Sequence, residues 1–185
     1  MPLVAFLRSW AVIALGCLPI FALMLVPQLM RSRAGSESLL MVGVLALFAL
    51  LAAAVVAAPV LSAIAAPSSQ KGEWMPRTAL RQTAAVWRRR AGQAWLALGG
   101  FVLLYGLGQA IGYAVGAAVP YVSDNPAFAS DPGAGRWVID YPAYALQAIV
   151  LYACTTLALT AYAARIRALA HGRAPANVRS ASPVE

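Results

Sequence analysis

Residues 39–66 read LLMVGVLALFALLAAAVVAAPVLSAIAA, without one charged side chain or histidine. Crossing a hydrocarbon core ~30 Å thick takes about 20 helical residues. This stretch is long enough to do so with some tilt, or with its last turns bent at Pro59. Three more runs share its character: 10–30, 94–120 and 141–164, all free of Asp, Glu, Lys, Arg and His. The expected fold is therefore all-α and polytopic, four transmembrane helices in an up-down bundle. One domain, residues 1–168, contains all four, and 169–185 reads as a flexible cytoplasmic tail.

Composition agrees with that reading. The chain is 62% hydrophobic and 11% charged over 185 residues. A soluble domain carries about a quarter charged residues, so there is too little polar surface here to cover a water-soluble globule. The net charge of +8 would suggest nucleic acid in a soluble protein. Here the basic residues flank apolar runs and no nucleic-acid-binding module is visible, so no nucleic-acid partner is expected. The better use of that charge is as a topological signal and an attraction to anionic lipid headgroups.

The basic residues sort by loop. Arg8 precedes the first run. Lys71, Arg77, Arg81, Arg88, Arg89 and Arg90 lie between the second and third, and Arg165, Arg167, Arg173 and Arg179 follow the fourth. Only Arg31, Arg33 and Arg136 fall in the other two loops. By the positive-inside rule, both termini and the middle loop are cytoplasmic. Size and an Ala/Arg-rich composition point to a bacterial cytoplasmic (inner) membrane.

Within the middle loop, Pro76 suits a first helical turn. Leu80, Ala84, Trp87 and Ala91 recur at helical spacing, with Arg77, Arg81 and Arg88 on an adjacent stripe. The spacing predicts a short amphipathic helix lying along the membrane surface between the second and third spans. Trp74 and Trp87 are expected at headgroup level. Arg77, Arg81, Trp87, Arg88, Arg89 and Arg90 are the candidate contacts for lipid or a partner protein.

The third run carries Gly108, Gly112 and Gly116 on one helical line. Such a line lets a second helix approach backbone to backbone. These are the candidate packing residues, as in a glycine zipper. The small-residue face of the second run, with Ala49, Ala53 and Ala57 on one line and Ala54, Ala58, Ser62 and Ala66 on another, is a natural candidate partner, a second copy of the chain the alternative. Pro19 predicts a kink near residues 15–19 of the first run. Asp140 and Pro142 mark the start of the fourth helix.

Chemistry is sparse. Membrane catalysis and ion coupling normally use ionisable groups held at depth, and the runs have none. No zinc-protease, nucleophile-elbow or phosphate-loop motif is present. Cys17 and Cys154 sit in apolar runs and read as small packing residues. Asp124, Asp131 and Asp140 do not have calcium-loop spacing. No cofactor, metal or catalytic residue is expected. The expected role is non-enzymatic: a structural, assembly or interaction subunit, or a lipid-contacting accessory. The alternative is a small oligomeric transporter or lipid-handling protein, in which the kinked first run, Gln109, Gln147 and the threonines of the fourth run line a path.

Overall fold

A computed structural model describes residues 3–31, 34, 36–65, 74–131, 135 and 137–172. Arg33, Lys71, Glu73, Arg136, the turn at Pro132-Gly133 and the tail beyond Gly172 lie outside the described residues. Among the described residues seven α-helices follow in order: α1 (Leu3–Gly16), α2 (Leu18–Met24), α3 (Pro27–Met30), α4 (Glu37–Ala65), α5 (Pro76–Arg89), α6 (Ala91–Ala118) and α7 (Tyr141–His171). Between α6 and α7 lies a small antiparallel hairpin, β1 (Val122–Asp124) with β2 (Trp137–Ile139), in the register Val122 to Ile139.

Three helices, α4, α6 and α7, are long and apolar enough to cross a membrane; α1 and α2 would make a fourth if they cross as one bent span. The single first helix expected over 10–30 is thus replaced by three pieces. The helix begins at Leu3 and takes in Arg8, breaks at Cys17, bends by 57° into α2, and breaks again before Pro27. The cause is local. Pro19 and Pro27 each lack an N–H, and each sits in the first turn of the piece that follows it. The fourth helix also outruns its expected end, passing Arg165 and Arg167 to His171. Arginine ends a hydrophobic run but not a helix, for which it is a good former.

A break inside a membrane leaves carbonyls with no water to meet. Tyrosines of α7 meet them. Tyr152 donates its hydroxyl to the Ala14 carbonyl at the α1–α2 break. Tyr144 donates to Met24 O at 2.6 Å and Tyr141 to Leu25 O at 3.1 Å, both at the end of α2. Phe21 packs its ring on Tyr152, centroids 4.9 Å apart.

Helix α7 is the hub, packing against α1, α2, α4, α5 and α6. Half of its most apolar window is buried, against 11% for α4, whose Leu45, Phe48 and Val56 face outward. α4 and α6 make no more than marginal contact with each other. They stand on either side of α7 and leave a groove above it.

The tightest approach involves Gly43 of α4, which lies against the short α3. A Cβ there would sit 1.9 Å from the carbonyl oxygen of Leu29. Backbone cannot rotate away as a side-chain tip can. Gly43→Ala should therefore push α3 off α4 and cost about 1–3 kcal/mol, read as a lowered midpoint in thermal unfolding of the detergent-solubilised protein. An unchanged midpoint would contradict this packing.

Candidate functional site

Helix α5 starts at Pro76, with the Thr78 hydroxyl accepting from the Met75 N–H at 3.2 Å. It docks on α4 and α7. The docked face is Ala79 and Val86, both fully buried, with Thr83 half-buried between them. The apolar stripe read from the spacing is turned away from this contact: Leu80 is 52% exposed and Ala84 is exposed, while Trp87 is half-buried. The reason is that membrane packing favours small residues that let helices approach, while large apolar side chains lose nothing by facing hydrocarbon. At 3.6 residues per turn, Arg77, Arg81 and Arg88 lie directly opposite Ala79 and Val86. All three are exposed, as is Arg89. One helix thus has a docked face, an apolar flank and a basic face.

Two of the expected interfacial residues have other work. Arg90 sits in the break between α5 and α6 and donates to Leu169 O and Gly172 O, both at 3.3 Å. It caps the C-terminal end of α7, where orphan carbonyls and the helix dipole favour a cation. It is therefore a tie between helices, not part of the open basic face. Trp74 is fully buried within the protein and donates to the Ser62 hydroxyl at 3.3 Å. Ser62 in turn donates to the Pro59 carbonyl. Trp87 is half-buried, edge-on to Trp95 at 5.3 Å, with Trp95 63% exposed.

The three glycines of α6 face α7 within the same chain, and not the second run. A Cβ on Gly108 would lie 2.7 Å from Cys154 Cβ, on Gly112 2.2 Å from Leu151 Cδ2, and on Gly116 2.5 Å from Gln147 Nε2. The partner numbers fall as the glycine numbers rise, so the two helices are antiparallel. Gln147 fastens the seam, donating Nε2 to the Gly112 carbonyl at 2.8 Å.

The polar residues of the spans divide into two groups. Thr156 donates to Tyr152 O and accepts from Trp10 Nε1 at 3.0 Å, and Thr160 donates to Thr156 O at 2.7 Å. Only the Trp10 bond crosses between helices; the other two are back-bonds within α7, as is that of Thr155 to Leu151 O at 2.8 Å. Gln109, Gln147 and Thr155 instead line the groove over α7, a cavity of about 160 Å³. Its walls are Leu47 and Leu51 from α4, Tyr105 from α6 and Leu151 from α7; Ile20 and Met24 of the broken first helix close one side.

One groove residue carries charge. Arg31, just past α3, folds back so that its Nη2 donates to Gln147 Oε1 at 3.0 Å and its guanidinium lies 4.9 Å from the ring centre of Tyr121. Its Nε is buried without a partner. Read from the sequence, Arg31 is only a loop cation. The clue was its position directly after Met30 with no spacer, which leaves its long stem lying along apolar surface.

Among the described residues no cluster of His, Cys, Asp or Glu could hold a metal ion. Cys17 and Cys154 are free thiols. No family model, curated protein or solved structure matches this chain.

Proposed function

We propose that this chain is a four-span protein of the bacterial cytoplasmic membrane, with α1 and α2 crossing together as one bent span in an up-down bundle. Both termini and α5 are cytoplasmic, and the β1–β2 hairpin lies outside. The sorting of arginines between loops supports this orientation. The Gly108–Gly112–Gly116 line serves as a glycine-zipper seam inside the bundle. The role is non-enzymatic: an assembly or interaction subunit that engages anionic headgroups, or the acidic face of a membrane partner, through Arg77, Arg81, Arg88 and Arg89.

The observation that carries this reading is that α5 docks by the face opposite Arg77, Arg81 and Arg88, leaving the basic face open, with Arg89 exposed to one side of it. Each arginine near an anionic surface contributes about 1 kcal/mol, less in salt. Changing Arg77, Arg81, Arg88 and Arg89 together to Gln should lower affinity for phosphatidylglycerol by about one to two orders of magnitude, with no loss of folding. Lipid and protein retained through gentle-detergent purification would be identified by mass spectrometry. The same lipid and protein complement in the variant would remove this reading.

A second reading, a lipid-handling protein, is favoured by one specific observation. Gln109, Gln147 and Thr155 converge with the broken first helix on one groove.

A further inference from the structure

We propose that the groove over α7 binds an amphiphile with a small anionic head, a carboxylate or a phosphate, whose head meets Arg31. This rests on the lipid-handling reading and adds the chemistry of the ligand. Among the described residues Arg31 is the only charged one lining the cavity, and the walls are otherwise neutral or apolar. Its Nη2 is engaged by Gln147 and its face by the Tyr121 ring, but its buried Nε has no partner. A buried guanidinium N–H left unmet is costly. A guanidinium beside the cavity offers charged N–H donors that match a carboxylate or phosphate. A cationic head would be repelled, and a neutral one would leave the guanidinium without a counter-charge.

The rest of the groove suits a chain. Leu47, Leu51 and Leu151 make an apolar wall, and Gln109 brings an exposed amide to the same cavity. The volume of about 160 Å³ is close to the roughly 150 Å³ that accommodates a benzene-sized group. It therefore holds a small head and the first methylenes, not a sugar headgroup. Because α4 and α6 do not close on each other, the remainder of the chain can leave sideways between them into the bilayer.

The test uses the full chain in phosphatidylcholine nanodiscs, with thermal unfolding titrated by oleate, oleoyl lysophosphatidate, methyl oleate and inorganic phosphate. Oleate and the lysophosphatidate should stabilise the protein at concentrations at least tenfold below those at which methyl oleate does. Inorganic phosphate alone should have no effect. Arg31→Gln should erase the preference for the charged probes, and Leu51→Trp, which fills the groove, should weaken all three amphiphiles. Methyl oleate matching oleate would overturn the anionic-head assignment while leaving the lipid-handling reading standing. Stabilisation by phosphate alone would make it an ion site and overturn the amphiphile. No response to any amphiphile would overturn both. If Arg31→Gln does not fold, the comparison of probes on the native chain and on Leu51→Trp still decides.

Discussion

Gly112→Leu should separate α6 from α7 and lower stability by about 3–6 kcal/mol, combining overpacking with a lost buried hydrogen bond. A single Cβ at this position already reaches to 2.2 Å from the Leu151 side chain. Leu151 can swing aside for a methyl group, but three further carbons compete for the space that the Leu151 side chain itself fills. As the helices part, Gln147 loses the Gly112 carbonyl, and with it the geometry that holds Arg31. The damage therefore reaches the groove. Gly106→Leu is the matched control, since no atom lies within 4 Å of a Cβ built there. Denaturant titration in detergent, followed by tryptophan fluorescence, should show a large loss for Gly112→Leu and none for Gly106→Leu. Equal behaviour would mean that α6 and α7 do not meet along this line.

The second large effect concerns the broken first helix. Removing the hydroxyls of Tyr144 and Tyr152 together strands the Met24 carbonyl and leaves the Ala14 carbonyl with only the shared Cys17 N–H at 3.1 Å. A buried carbonyl left unmet costs about 1–3 kcal/mol and one lost hydrogen bond about 0.5–1.5, so the pair Tyr144→Phe and Tyr152→Phe should cost about 1.5–4.5 kcal/mol. Shape and apolar area are unchanged, which isolates the hydrogen bonds from packing. The break should also become the first place to exchange. Amide hydrogen exchange over residues 14–25 should rise in the double variant while α6 keeps its protection. A variant as stable as the native chain would mean that other groups satisfy those carbonyls.

What could be read from the sequence follows from where membrane physics acts on single residues. The runs 39–66 and 94–120 became α4 and α6 to within a few residues, because length and absence of charge are local properties. Pro19 announced a kink, but nothing local says that the chain would bend by 57° and break twice. That depends on tyrosines more than a hundred positions away. The docked face of α5 was not legible in the sequence, for a physical reason. Apolar periodicity locates the face that avoids water, whereas a helix in contact with lipid chooses its packed face by size, and Ala79 and Val86 win over Leu80. The glycine line was legible as a close-packing surface. Its partner was not, because Leu151 and Gln147 are not small, and only the fitted structure shows that the space left by Gly112 and Gly116 is filled by them. Arg31 was counted for topology, and its return toward the groove is a tertiary event.

The account stands or falls on four crossings, with α1 and α2 as one span. Membrane-impermeant thiol labelling of intact cells measures that directly, using single cysteines in a background where Cys17 and Cys154 are Ala. Leu3, Ser36, Ala84 and Ser130 are exposed and bracket three of the crossings. Thr83 is unsuitable because its side-chain oxygen is buried. Cysteines at 36 and 130 should label from outside, and those at 3 and 84 should label only after the membrane is opened. Positions 3 and 36 labelling from the same side would make α1–α2 a re-entrant pair and leave three spans; the reverse pattern at 84 and 130 would invert the protein.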